Sequence, residues 1–185
     1  MPDGGSHETY ADHFVPGLGT QAEFRRALGQ FATGVTIVTA EGPDGPVGMT
    51  ANSFSSVSLS PPLVLWCPAK GSNRYSIFAQ AAKFSIHILG ENQAKLARDF
   101  ARRGDAFKGL DLDVDLNGVT VFRDCLARFD CSQFALHDAG DHAIVVGHVD
   151  QVYKAGGSGL VFAEGRFGGF RDRTQESQRG ADAGH

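Results

Sequence analysis

The densest concentration of polar side chains lies in residues 50–60, where five serines, Thr50 and Asn52 fall within eleven positions. Apolar residues on both sides mark the flanks as strands. Hydroxyls and amides at that density are costly to bury without partners. A bound phosphate, or the polar edge of a heterocycle, would supply those partners. A solvated strand face with serine as turn filler would leave them to water. The residues alone leave both readings open.

A second candidate is Lys70-Gly71-Ser72-Asn73-Arg74, which puts a glycine and two cations at the start of a helical pattern. Backbone amides at a helix start attract anions, and Lys and Arg add charge. An ordinary capped surface helix fits the same residues. A third is His142, which follows Gly140-Asp141 at the start of a strand and could be structural, solvent-facing or functional. His137 and His142 are five apart, with Asp138 and Asp141 nearby, but this is no known ligand pattern and the pair straddles a turn, so no metal is assigned. The chain has no GxSxG, no P-loop and no glycine-rich dinucleotide fingerprint after a strand. Any pyridine nucleotide must bind without a Rossmann unit.

The elements that would position these residues read mainly as strands. The 185 residues suit one domain, and 24 glycines among short apolar runs favour a turn-rich β protein. A net charge of −4 without a Lys/Arg block argues against general nucleic-acid binding. Cys67, Cys125 and Cys131 form no CxxC and lie in apolar stretches, so they read as core residues in a reducing compartment. No apolar run approaches the roughly 18 residues of a spanning helix, and residues 1–18 carry no secretory core, which points to the cytoplasm.

Along the chain, residues 1–19 read as a flexible arm, 20–170 as the folded domain and 171–185 as a disordered tail. Thr20 and Glu23 have capping-box spacing before a helix with Phe24, Ala27, Leu28 and Phe31 on one face. Strands are expected at 35–40, 47–52, 53–60, 63–67 and 84–89, and helices at 72–82, capped by Ser72, and 92–103. Residues 104–118 read as an irregular surface excursion. Cys125, Ala127, Phe129 and Cys131 alternate, and Phe134 and Leu136 continue one residue out of step, so a bulge is expected near Ser132-Gln133 before the return strand 142–153. Short segments at 160–163 and 166–170 finish the domain. About seven antiparallel strands and three helices imply a closed or nearly closed β-barrel with peripheral helices.

Residues 31–39 (FATGVTIVT), 48–54 (GMTANSF), Ser56-Val57-Ser58 and Pro61-Pro62-Leu63-Val64 closely resemble the flavin reductase-like family, the short-chain reductase components of two-component flavin monooxygenases. Gly140-Asp141-His142 and Gly165-Arg166-Phe167 match more briefly. The resemblance spans about residues 20–170. It implies an FMN-binding split β-barrel, a homodimer, and a flavin groove near the subunit interface. It implies contacts to FAD or FMN from Thr33, Thr36, Met49, Thr50, Ala51, Asn52 and Ser53, with Thr50–Ser53 along the ring edge. Ser55 and Ser56 would lie near the ribityl chain or phosphate, and Lys70, Ser72 and Arg74 in a phosphate loop. His142 would sit beside the nicotinamide of NADH or NADPH as the catalytic residue, oriented by Asp141, with Arg166 and Phe167 touching either cofactor. Arg74 stands where Ser or Thr is also common, and Phe167 where relatives often carry Tyr, so that hydroxyl is absent.

The implied reaction is hydride transfer from nicotinamide C4 to flavin N5, with the rings about 3–3.5 Å apart, which requires no acid–base residue. Reduced flavin would then leave for a partner monooxygenase. A non-catalytic flavin-binding or electron-transfer barrel would keep the same groove, and a dimeric interaction module would need neither cofactor.

Overall fold

The computed structural model describes residues 13–171. Most of the proposed 1–19 arm and all but Arg171 of the proposed 171–185 tail lie outside the described residues. In chain order the elements are α1 (Gln21–Leu28), β1 (Thr33–Gly34), β2 (Thr36–Gly42), β3 (Gly45–Ala51), β4 (Ser55–Leu59), β5 (Pro62–Trp66), α2 (Tyr75–Gln80) and β6 (Lys83–Ile88). A 3-10 turn (Glu91–Gln93) leads into α3 (Ala94–Arg102), followed by β7 (Leu112–Val114), β8 (Thr120–Phe122), β9 (Ala127–Ala139), β10 (His142–Lys154), β11 (Leu160–Ala163) and β12 (Arg166–Gly169).

Seven strands form one antiparallel sheet in the order β3-β2-β6-β9-β10-β5-β4. The sheet keeps two edges, β3 and β4, so the architecture is a split barrel and not a hydrogen-bonded ring. A second sheet, β1-β11-β12, is held together by pairs such as Thr33↔Phe162 and Phe162↔Phe167 and is tied to the end of β6 by Leu160 N donating to Leu89 O (2.9 Å). The apolar core has two parts. One gathers Val38, Trp66, Phe78, Phe84, Ile86 and Val145. The other gathers Val35, Ile37, Leu89, Phe100, Phe122 and Leu160, and belongs to α3 and the second sheet.

The strand expectations hold because alternation and turn residues are local signals. Several finer ones need correction. Thr20 does not cap α1: its hydroxyl donates to Val15 O (3.0 Å) and accepts from Gly17 N (2.9 Å), inside the preceding turn. Helix α1 ends at Leu28, so Phe31 lies beyond it, and none of its residues is buried. Ser72 precedes a six-residue α2 whose first flanking residue is Arg74, and the Ser72 hydroxyl accepts Arg74 N (3.2 Å). The 104–118 excursion contains buried Ala106 and Phe107 and ends in the β7–β8 hairpin. The β9 bulge falls at Phe134, between the pairs Ala135↔Val146 and Gln133↔Gly147, slightly later than expected.

The first part of β9 is buried on both faces, and its second half is largely exposed. Cys131 faces the apolar core, while Arg128 and Asp130 on the opposite face are also buried. Arg128 grips Asp130 with two bonds (2.8 and 3.1 Å) and stacks over Tyr153 at 3.9 Å. Ser85 Oγ lies 2.9 Å from Asp130 and 2.7 Å from Asp115. A buried carboxylate and guanidinium need such mutual pairing to stay charged out of water. Of the three cysteines, only Cys131 is fully buried.

Candidate active site

The segment from Gly48 is placed by close backbone packing. A Cβ on Gly48 would lie 2.3 Å from the Phe100 ring, so only glycine lets α3 settle against β3. Thr50 Oγ1 donates to Ala97 O of α3 (2.7 Å), and Thr36 Oγ1 donates to Ala51 O (2.8 Å). Met49 and Ala51 are buried in the core. Thr36, Met49 and Ala51 therefore hold the segment and do not project from it, while half-buried Thr50 both anchors it and borders a cavity.

At Asn52 the chain leaves its pairing with β2, and the side chain emerges between two cavities. One, of about 460 Å³, is lined by Phe31–Gly34 and Asn52–Ser55. The other, of about 210 Å³, is lined by Val35, Thr50, Asn52, Ala101, Phe162 and Phe167. Asn52 borders both, so they form one continuous groove between the two sheets. The groove wall is neutral. Thr33 Oγ1 is buried beside it without a hydrogen-bond partner among the described residues, as are Thr39 Oγ1 and Trp66 Nε1 in the core. Phe162 and Phe167 close the far end with ring centres 5.2 Å apart, and Arg98 lies over Phe167 at 5.0 Å. A planar heterocycle with a polar edge fits such a donor set.

Ser53 carries the groove toward the second candidate group. Its Oγ accepts Cys67 N (2.9 Å), just past the end of β5. Burial raises the Cys67 thiol, against the lowering bond from Ser53. Beyond Cys67 the chain docks on the β9–β10 turn: Ala143 N donates to Pro68 O, Ala69 bridges His142, and Lys70 N donates to Asp141 O. His142 thus stands a few bonded steps from Ser53. Its Nδ1 lies 2.7 Å from Asp141 Oδ1. The bond from His142, with its charge, lowers the Asp141 carboxyl. An ionised carboxylate only accepts, so Nδ1 is the donor and a neutral ring presents Nε2 as an acceptor.

The remaining candidates divide. Lys70 Nζ donates to Asp138 Oδ2 and Gly140 O (both 2.7 Å), which leaves one of its three N–H donors. Arg74 does not face an anion loop. Its guanidinium donates to Gly48 O (2.9 Å), Phe100 O (2.7 Å) and Ala101 O (3.1 Å), pinning the end of α3 to β3. With a short α2 and Arg74 committed to carbonyls, the expected two-cation phosphate loop reduces to Lys70 and the turn around Ser72. Ser55 and Ser56 are exposed, and Ser55 bonds only its neighbour's carbonyl (3.2 Å). Arg166 is exposed and paired with Glu164 (2.7 Å), while Phe167 enters the groove.

Phe162 and Ala101 also line the groove, and nothing in the sequence marks them, because their contacts cross between the second sheet and α3. A separate cavity of about 340 Å³ lies between β7 and the far ends of β9 and β10, against Arg128 and Tyr153, and contains none of the candidates. Among the described residues no group of three or more His, Cys, Asp or Glu could hold a metal ion.

The family model described as "Flavin reductase like domain" matches residues 28–171. The FMN reductase (NADH) SmoA of Agrobacterium fabrum is 52% identical over 157 residues, covering 85% of this chain and 90% of its own length. The reductase component of a flavin-dependent trigonelline monooxygenase of Acinetobacter baylyi is 44% identical over 147 residues; these cover 78% of this chain but 47% of that longer protein. Among solved structures, the NADH:FAD oxidoreductase SgcE6 of Streptomyces globisporus, in complex with NAD and FAD fragments, superposes with a TM-score of 0.80 at 35% identity. That match covers 87% of this chain and 99% of the other.

Proposed function

The chain belongs to the flavin reductase-like family, and on that premise we propose that it is an NADH:flavin oxidoreductase that reduces FAD or FMN in the Asn52 groove and passes the reduced flavin to a partner monooxygenase. The observation that carries this reading is the position of Asn52 on both cavities of a neutral groove with an unpartnered buried hydroxyl beside it.

A flavin held in this groove would supply the two-electron redox chemistry. The chain's part is positioning. The Asn52 carboxamide and the backbone of 50–53 offer neutral donors and acceptors to a ring edge, and Thr33 Oγ1 offers one more. Lys70, with one N–H donor left, and the turn at Ser72 are the groups assigned to a phosphate. His142, fixed by Asp141, offers Nε2 to an N–H or O–H of the nicotinamide half. Phe162 and Phe167 keep water from one end.

We further propose a homodimer of the 20–170 domain in the cytoplasm. Supporting the dimer, Phe31 and Leu59 are 78% and 96% exposed, and Phe134 is 60% exposed; apolar side chains left in water on strands and their flanks favour a second copy. Supporting the compartment, the three cysteines are free. Among the described residues no helix is long and apolar enough to cross a membrane.

Anaerobic mixing of the protein, FAD or FMN, and NADH tests the activity directly. Bleaching of the visible flavin band at a rate proportional to protein concentration is expected. A protein that binds flavin but leaves the band unbleached would be a carrier and not a reductase.

A further inference from the structure

The cavity of about 340 Å³ between the β7–β8 hairpin and the far ends of β9 and β10 shares no lining residue with the Asn52 groove. Its size is that of a site for a small organic molecule. Its floor is Arg128, which is 7% exposed and stacks on the Tyr153 ring at 3.9 Å. The strand register sets Tyr153 directly opposite Arg128, so both side chains stand on the face of the sheet that the hairpin covers.

Stability alone does not account for a buried cation here. Taking two charges out of water costs about what their attraction returns, and an apolar pair of similar volume serves a core as well or better. Arg128 also keeps spare capacity. Its Nε and Nη2 donate to Asp130 (2.8 and 3.1 Å), while Nη1 has no hydrogen-bond partner among the described residues. Two N–H donors of a nearly buried guanidinium are thus left for an occupant of the cavity it lines.

The other charges on the wall leave the same sign uncommitted. Asp113 accepts from Arg123 Nη2 (2.8 Å) and from Val114 N (2.9 Å). Asp115 has Ser85 Oγ at 2.7 Å on one oxygen and accepts the amides of Asn117 and Val119 (2.8 and 2.9 Å) on the other. Each oxygen of both carboxylates is engaged, which leaves neither for a cation. Lys154 lines the cavity with no carboxylate partner among the described residues.

The rest of the wall is apolar. Val114 and Leu116 stand exposed on the hairpin, and Ala127 and Ala155 fill little of the space at the strand ends. Burial pushes the Cys125 thiol up to about 11, so it adds a neutral surface and no nucleophile. Apolar walls around a few uncommitted N–H donors suit an anion with an apolar body better than an inorganic ion.

We propose that this cavity is a second ligand site, separate from the flavin groove, that takes a small organic carboxylate. The anion lies between Lys154 and the Nη1 edge of Arg128, where both bonds are charge-assisted, and the apolar body lies against Val114, Leu116 and Tyr153. The site stands whether or not the chain reduces flavin.

The test is a ligand-observed NMR titration of the full chain with benzoate, with benzamide as its neutral isostere, each with and without saturating FMN. Benzoate should bind, benzamide should bind at least tenfold more weakly, and FMN should leave the benzoate Kd unchanged. Lys154→Gln should weaken benzoate about tenfold. Ala155→Phe, which fills the cavity from an exposed position, should abolish binding. Both variants keep the Arg128–Asp130 pair, so both should melt with wild type; Arg128 itself is left in place because its loss would strand the Asp130 charge in the interior. Absence of benzoate binding, equal binding of benzamide, displacement of benzoate by FMN, or a Kd that neither variant moves overturns the proposal.

Discussion

Acidification from pH 7 to pH 5 should remove about 2 kcal/mol of stability through His87 alone. This ring is fully buried on β6 between Ile86 and Ile88 and stacks on Phe122 at 4.0 Å. Its Nδ1 lies 3.1 Å from Ile37 O, and its Nε2 faces Phe122 N at 3.4 Å. A carbonyl only accepts and an amide only donates, so one neutral tautomer satisfies both sides: Nδ1 donates and Nε2 accepts. A proton on Nε2 would set donor against donor. Burial, the largest cause, therefore pushes the His87 pKa down to about 3; the Ile37 bond opposes the shift and the charge of Arg128 adds to it.

The unfolded chain, with an ordinary histidine near 6.5, binds the proton first as pH falls. His87's contribution is thus complete above pH 6.5 and declines toward pH 3 by about 1.4 kcal/mol per unit. At pH 5 the loss reaches about 2 kcal/mol, equivalent to roughly 4–8 °C in melting temperature for a chain of this size. His87→Gln keeps a donor and an acceptor but cannot titrate, and it loses the stacking, worth about 1 kcal/mol. Thermal or urea unfolding at pH 7, 6 and 5 should therefore show the variant less stable at pH 7 and level with wild type, or above it, at pH 5. A difference between the two proteins that stays constant over this range would refute the assignment of a buried neutral ring.

Three further outcomes follow from the same geometry. His142→Ala should lower turnover or raise the NADH KM while leaving flavin binding nearly intact; unchanged kinetics would remove His142 from the site. Thr33→Val preserves shape and removes the unpartnered hydroxyl, so it should raise the melting temperature of the ligand-free protein and weaken flavin binding severalfold, both read in one fluorescence titration and melt series. Gly48→Ala forces a methyl into the Phe100 ring and should cost about 1–3 kcal/mol in urea unfolding, whereas a surface glycine such as Gly71 should tolerate alanine.

The sequence by itself determined the features that depend on neighbours in the chain. Alternation made β2, β3, β9 and β10 readable, Gly/Pro/Asp clusters marked their turns, and the hydroxyl-rich run after Gly48 singled out the groove segment containing Asn52. The family resemblance rests on these same contiguous runs. Tertiary structure alone decided which of those side chains are committed to other parts of the protein. Thr36 and Thr50 carry the same hydroxyl as Thr33, but their protons go to Ala51 O and Ala97 O, while that of Thr33 finds no acceptor. Arg74 looked like an anion ligand because its three carbonyl partners come from β3 and the end of α3, at least 26 residues away. Burial of Arg128 and Asp130 is not legible from alternation, which marks only the Ala127, Phe129 and Cys131 face as apolar; β7–β8 and Tyr153 cover the other face only after folding. A hydrogen bond uses up a donor whichever part of the chain supplies the acceptor, so a residue's availability for chemistry becomes fixed only when distant segments have met.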